Sequence, residues 1–342
     1  MKRVIWIVSE GSPGHISQSV GLADALAAQT AVTTYQLECR PRTGGLARLL
    51  IRCLWMGRAG RALPDRVLKR WLRLEKAIDA PPPDLIIASG GKSVFAARSL
   101  AVKHRAPLIF LGERKPYPAG WFHTAFTPSG LEAAACDVRM DVIPTKISAA
   151  AVQQAADAWA AKPPGRLWAM LVGGPSRSHH YQADDWQRLA AGMTTLARRE
   201  GIRWLVTTSR RTGLEIEATL RDLLPPDIIA DAVWWCHAPE KKFAAYLGSA
   251  EKLWVTQDSV SMVTEATAAR KPVIVVYPRD LRFPATSFMP GYLENLESFG
   301  LLERRPISQM EGAPVRNGLT STRPFRDTAG LAQIARERLG WT

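Results

Sequence analysis

The sequence predicts an α/β protein built as two Rossmann-type halves, each a parallel sheet with crossover helices, facing a central cleft. Three observations predict it. Short β-branched apolar runs alternate with longer helical patterns along the chain. The alternation breaks once, before the strong punctuation of Lys162-Pro163-Pro164-Gly165, and then restarts. Glycines, hydroxyls and cationic side chains collect just after the strand candidates, where such folds bind ligands.

Taken in order, the first half has strand candidates at 4–8, 32–37, 85–88 and 108–111, with weaker ones near Thr124 and Val142. Helical patterns fall at 17–29, 46–56, 64–78 and 93–104. An alanine-rich helical stretch covers 148–161. In the second half strands are expected at 167–172, 204–207, 232–235, 253–256 and 273–277, and helices at 184–200, 213–223, 240–248 and 259–270. A last amphipathic helix spans 327–339. The expected domains are 1–150, a linker at 151–165, a second domain at 166–326, and a terminal helix at 327–342.

A chain of 342 residues is long enough for two domains that each bury a core. With 46% hydrophobic and 22% charged residues it reads as a soluble globular protein. The first apolar run, 4–8, is too short for an export signal and reads as a buried strand. No stretch approaches the ~18 apolar residues of a membrane span, so a cytoplasmic protein is expected. Cys39, Cys53, Cys136 and Cys236 share no ligand-like spacing, and adjacent His179 and His180 are poorly arranged to chelate one ion. No metal site and no cofactor are expected.

The net charge of +14 is concentrated. Residues 40–76 hold eleven basic residues against Asp65 and Glu75, interleaved with apolar ones. Arg48, Arg52, Trp55, Arg66, Arg70 and Trp71 would give helices a cationic and an apolar face suited to an anionic membrane surface. A core-facing stripe with a solvated basic back fits the same pattern. No nucleic-acid motif accompanies the charge, and no nucleic-acid partner is expected.

The loops carry the chemistry. The first strand runs into Ser9-Glu10-Gly11-Ser12-Pro13-Gly14-His15, where Gly11 and Gly14 allow a tight turn before a helix amino terminus. The dinucleotide fingerprint is absent: a third glycine is missing, and no acidic residue stands convincingly at the end of the second strand candidate. His15, at the mouth of this loop, suits a general base, or a residue capping the helix. Ser89-Gly90-Gly91-Lys92-Ser93 is no P-loop, because Ile86 occupies the first glycine position. Gly90, Gly91 and Lys92 instead suit a cleft wall. Glu113 and Arg114 form an acceptor-side loop or an exposed charged one. In the second half, Gly173, Gly174 and Ser176 form another glycine-rich turn, while Ser209 and Arg210 suit a phosphate. Asp258 or Ser259 would cap a helix whose amides near Ser259 and Ser261 face a diphosphate, with Glu265 on a ribose diol. A plain N-cap followed by a surface glutamate is the alternative. The chain has no Asp-x-Asp pair to hold a metal–diphosphate complex.

These loops resemble those of GT-B glycosyltransferases. Gly11-Ser12-Pro13-Gly14-His15 looks like the first loop of the enzyme that adds GlcNAc to the peptidoglycan lipid precursor, a family in which such a histidine is considered near the reaction centre. Asp258-Ser259 through Glu265-Ala266 is similar to the donor-binding helix of these enzymes and of UDP-GlcNAc 2-epimerases. Residues 9–15, 89–92, 173–176 and 256–262 together look like the elongated-mitochondria family. It is named for a plant mitochondrial fission factor, and its bacterial members are regarded as glycosyltransferases of lipopolysaccharide core assembly. The resemblance implies a metal-independent, inverting glycosyltransferase. It would use a nucleotide-sugar in the second half, His15 as base, and a glycolipid or lipopolysaccharide-core acceptor at the cytoplasmic face of the inner membrane. A nucleotide-sugar epimerase and a non-catalytic membrane-surface adaptor are the alternatives.

Overall fold

The computed structural model describes residues 2–41, 72–75, 80–91, 93–130, 133–312 and 324–341. The chain divides into two compact units, Met1–Lys146 with Phe325–Thr342, and Ile147–Pro324.

The first unit contains β1 (Arg3–Ser9), α1 (Pro13–Ala27), β2 (Val32–Pro41), β3 (Leu72–Glu75), β4 (Leu85–Ser89), α2 (Val94–His104), β5 (Leu108–Leu111), β6 (Thr124–Thr127) and β7 (Asp137–Arg139). They form one sheet in the order β3-β2-β1-β4-β5-β6-β7, parallel except for β3. Because β1 is central and covered on both faces, its Ile5–Val8 run is wholly buried and shows no polar alternation. Proline at the first helical position starts α1 at Pro13, four residues before the expected start, and so places Gly14 and His15 in its first turn. The expected helix 64–78 is corrected at 72–75. There β3 pairs with the far end of β2, Glu38 opposite Glu75, and satisfies backbone groups on that edge. Its other residues up to 71 and from 76 to 78, and the whole of expected helix 46–56, lie outside the described residues. The weak strand near Val142 is also corrected. The strand is Asp137–Arg139, after which the Val142 amide donates to the carbonyl of Arg326 and the chain leaves the sheet.

The second unit contains α3 (Ala149–Asp157), β8 (Leu167–Leu171), β9 (His179–His180), α4 (Ala183–Glu200), β10 (Arg203–Thr207), α5 (Gly213–Leu223), β11 (Ile229–Val233), α6 (Phe243–Ser249), β12 (Lys252–Thr256), α7 (Val260–Ala268), β13 (Val273–Tyr277), β14 (Asp280–Leu281), α8 (Met289–Ser298) and β15 (Glu303–Pro306). Its parallel sheet has the order β11-β10-β8-β12-β13-β15, and β14 and β9 form a small antiparallel ribbon. Trp168, Trp204 and Trp254 pack against one another in the core. The helix α4 follows from local signals: a Gln182–Asp185 capping box, acids in its first turn, Arg198 and Arg199 in its last, and left-handed Gly201 at its end. The expected strand 232–235 stops at Val233. Beyond it the Trp235 amide donates to Thr208 Oγ1 and the Cys236 amide to Glu217 Oε1, drawing the chain into a turn. The sequence reading had no element between 278 and 326, where α8 and β15 lie.

The stretch expected as a linker begins inside α3, which packs on α6 so closely that a Cβ on Gly248 would meet the Val152 carbonyl. The last helix, α9 (Thr328–Leu339), capped by Asp327, belongs to the first unit, where the Arg3 guanidinium lies 5.4 Å from the Trp341 ring.

Each sheet has one point where successive connections leave in opposite directions. It falls between β1 and β4 in the first unit and between β8 and β12 in the second. Ligand crevices of doubly wound sheets open there, at the carboxyl ends of the strands.

Candidate functional site

In the second unit the loops after β8, β10 and β12 are tied together by one carboxylate. Asp258 has a side chain with no solvent exposure. Its Oδ1 accepts from the Tyr181 hydroxyl at 2.7 Å, and its Oδ2 accepts from the Gly174 amide at 2.9 Å and from Arg211 Nη2 at 2.6 Å. Burial lifts this carboxyl above its usual range, opposed by Arg211 and by the donors around it. Burial and the neighbouring Asp258 push the Tyr181 phenol well up, so it stays protonated and donates. The turn itself is fixed from both sides. The Gly173 amide donates to Thr256 Oγ1 at 2.7 Å, and its carbonyl accepts from the Ser209 and Thr212 hydroxyls. A Cβ on Gly173 would lie 2.0 Å from Asp258 Oδ2, and one on Gly174 2.5 Å from the Arg211 carbonyl. The room these glycines leave is thus filled by protein.

The remaining second-unit residues divide. Ser259 caps α7, its hydroxyl accepting from the Met262 amide, and lies 3.4 Å from the Ser261 hydroxyl. Glu265 is half-buried in the second turn of the same helix. Ser176 is used within its own turn, accepting from the amides of Ser178 and His179. Arg210 is exposed, and its carbonyl accepts from the Cys236 thiol. The arginine that joins the network is Arg211. Buried His179 accepts from Gln257 through Nε2 and sits 3.0 Å from the Ser178 hydroxyl through Nδ1. Burial first, then Arg211, lowers it to about 4 and keeps it neutral. Among the described residues no group of three His, Cys, Asp or Glu is arranged to hold a metal.

Sequence reasoning chose Arg210 from the 207–212 loop that also holds Arg211, and it missed Tyr181, Thr256 and Glu217 as parts of the site. The Glu217 side chain is buried, bonded through one oxygen to the Thr208 hydroxyl and the Cys236 amide; its Oε2 has no hydrogen-bond partner among the described residues.

In the first unit, His15 Nδ1 lies 2.6 Å from Glu10 Oε1. The histidine side chain is 35% exposed and the glutamate 9%. A carboxylate only accepts, so Nδ1 is the donor of this pair. Gly90, with φ +77°, makes room for the ring: a Cβ there would lie 2.3 Å from His15 Cε1. Ser93 donates to the carbonyls of Ser89 and Gly90, and the Tyr117 hydroxyl donates to that of Gly91, which holds the loop after β4 in place. An acidic residue does stand near the end of β2. The strand runs past Leu37, and Glu38 pairs in register with Ser9, with Oε1 2.6 Å from where a Gly11 Cβ would sit. Burial, then Glu10, pushes neighbouring Cys39 up to about 12, so it stays a thiol.

Glu113 and Arg114 face inward bonds. Glu113 accepts from the Ser129 amide at 3.0 Å, and Arg114 forms a two-point ion pair with buried Asp137. Burial works to raise the Asp137 carboxyl, but Arg114 holds it below its usual range. Lys92, Arg48, Arg52, Trp55, Arg66, Arg70 and Trp71 lie outside the described residues. Among those described, no helix is long and apolar enough to cross a membrane.

The sequence profile of the family described as mitochondrial fission ELM1 matches residues 13–339. The chain belongs to the ELM1 family. No curated protein matches it. Among solved structures, UDP-GlcNAc 2-epimerase from Methanocaldococcus jannaschii is similar with a TM-score of 0.58 at 14% identity, over 98% of this chain and 99% of its own. S. aureus MnaA, solved with UDP, gives 0.52 at 13% identity over 99% and 89%. The glycotransferase of kitacinnamycin gives 0.52 at 15% identity over 99% and 94%. At such identities the likeness is one of fold, and the ELM1 chain has the GT-B fold.

Proposed function

We propose that this ELM1-family chain is a glycosyltransferase that moves a sugar from a nucleotide-sugar to a hydroxyl acceptor, with inversion and without a metal. The observation that carries the reading is the Glu10–His15 pair, a carboxylate of low exposure beside a partly exposed imidazole at the first unit's switch point. Glu10 would keep the proton on Nδ1 while Nε2 takes the proton of the acceptor hydroxyl. The acceptor oxygen then bonds to the anomeric carbon, and the bond from that carbon to the diphosphate breaks, its electron pair leaving with the nucleoside diphosphate. In the second unit, Arg211 and the amides at the Ser259-capped end of α7 would stabilise that leaving charge. Glu265 would hold the ribose.

The acceptor, in this proposal, is a glycolipid or lipopolysaccharide core at the cytoplasmic face of the inner membrane, approached through the basic 40–76 segment. Co-sedimentation with anionic but not zwitterionic vesicles, weakened by salt, supports that placement; no difference between the vesicles removes it.

An epimerase is the second reading, since base chemistry at His15 serves it equally and an epimerase is among the similar structures. The deciding experiment offers each nucleotide-sugar with and without a membrane-lipid extract. Release of nucleoside diphosphate that requires the extract supports transfer. A new sugar nucleotide formed without it supports epimerisation. Neither, together with no nucleotide binding, points to the adaptor.

A further inference from the structure

We infer that Asp258 is a positioning residue: it touches no ligand, and it holds Arg211 at the amino end of α7 as the anion contact of the second unit. The inference rests on the nucleotide-sugar reading above. Both oxygens of Asp258 are engaged inside the protein, by Tyr181 on one side and by Gly174 and Arg211 on the other. With no exposed side-chain surface, the carboxylate offers nothing to a ligand. Arg211 is the opposite case. Its side chain is 44% exposed, and besides the carboxylate its Nη1 and Nη2 lie only 3.4 Å from the Asp258 carbonyl. A guanidinium has five N–H groups in a fixed fork, so donors remain for a second anion.

The placement follows from the chain. Asp258 immediately precedes Ser259, the cap of α7, so a cation pinned to its side chain and carbonyl must stand beside the first free amides of that helix. Tyr181 and the Gly174 amide donate to the same carboxylate, so Arg211 is one of three donors on it and keeps further N–H groups for a ligand. Arg210, one residue earlier, joins none of this.

The test is calorimetric binding of UDP, GDP and ADP, and of their parent nucleosides, to the full chain. For whichever diphosphate the wild type binds, Arg211→Ala should weaken binding about 10- to 100-fold, the range of a charged hydrogen bond, and leave the nucleoside unchanged. Asp258→Asn should weaken the diphosphate alone by about tenfold, and Asp258→Asn in the Arg211→Ala background should add nothing. Tighter binding by Asp258→Asn would make the carboxylate a competitor of the ligand. A further loss in the Arg211→Ala background would make it a direct contact. Equal loss of the nucleoside would make it merely structural. Each of these overturns the inference and leaves the nucleotide-sugar reading standing. If Asp258→Asn does not fold, Arg211→Lys decides: it keeps the charge without the fork, and undiminished diphosphate affinity overturns the inference. A wild type that binds no nucleoside diphosphate overturns the underlying reading and this inference with it.

Discussion

Gly173→Ala puts the central claim about the second unit at risk, because two effects oppose and the structure decides which wins. In an unstrained loop the substitution stabilises by about 0.4–1 kcal/mol, by restricting the unfolded chain. Gly173 is not in the left-handed region, so the backbone accepts alanine. The contact does not. The new Cβ would lie 2.0 Å from Asp258 Oδ2 and 2.7 Å from its Cγ, and the carboxylate has no solvent-facing side to retreat to. Moving it breaks bonds from Arg211, Tyr181 or Gly174, and a buried charge left without its partner costs about 3–5 kcal/mol. The net is a destabilisation of about 2–4 kcal/mol. At 2–4 °C per kcal/mol for a unit of this size, the melting temperature falls by about 4–16 °C. Gly120→Ala is the control, since nothing lies within 4 Å of its Cβ and its φ is ordinary. It should leave melting unchanged or slightly raised. Thermal unfolding followed by circular dichroism reads both. A Gly173→Ala protein that melts at or above the wild-type temperature refutes the account of Asp258 as a filled, fixed carboxylate.

Other outcomes follow from the same geometry. His179 binds a proton at 6.5 when unfolded and only at about 4 when folded, so between those values the unfolded chain holds more protons and stability falls as pH falls. The loss approaches about 3 kcal/mol by pH 4, so the stability gap between wild type and His179→Gln in urea should narrow across that window; a constant gap contradicts it. His15→Ala should abolish turnover with nucleotide affinity nearly intact, and Glu10→Gln should lower kcat about 100-fold; substantial residual activity in His15→Ala removes it from the mechanism. In the same assay excess EDTA should leave the wild-type rate unchanged, and a lost rate restored by a divalent cation would end the metal-independent reading.

Much of the fold was legible because parallel strands buried on both faces appear as uninterrupted apolar runs, as in β1, β8 and β13. The pattern failed where pairing rather than apolar content makes the strand. Glu-Arg-Arg-Pro of β15 has no such run, yet it adds to β13 with Ile274 opposite Glu303. Site residues split in a related way. Ser259 as a cap and the glycine turns are local signals, and they were readable. Which neighbour points inward is not local: Arg211 rather than Arg210 depends on Asp258, 47 residues on, and Tyr181 meets that carboxylate across 77. Glu10 was concealed by boundaries. With α1 starting at Pro13 rather than four residues later, His15 falls in its first turn beside Glu10. The Pro13 signature carried that information. Glu38 was hidden likewise, by a strand expected to stop at Leu37.

The two units arrive at one device with opposite chemical results. At each switch point a carboxylate almost or wholly removed from solvent holds a partly exposed nitrogen group, and a glycine clears space where a Cβ would collide: Glu10, His15 and Gly90 in one, Asp258, Arg211 and Gly173 in the other. With histidine, the carboxylate accepts from Nδ1 and, in the proposed mechanism, leaves Nε2 to take a proton. With arginine, which does not deprotonate, it fixes a permanent cation, a group that meets anions. In the transfer proposed above, the first would take the acceptor's proton and the second would meet the diphosphate. An adaptor that only recruits partners has no use for a carboxylate buried to aim either one, since surface histidines and arginines bind proteins without such support. The low exposure of Glu10 and the full burial of the Asp258 side chain, more than the identity of His15 and Arg211, are therefore what supports the proposed enzyme over the adaptor.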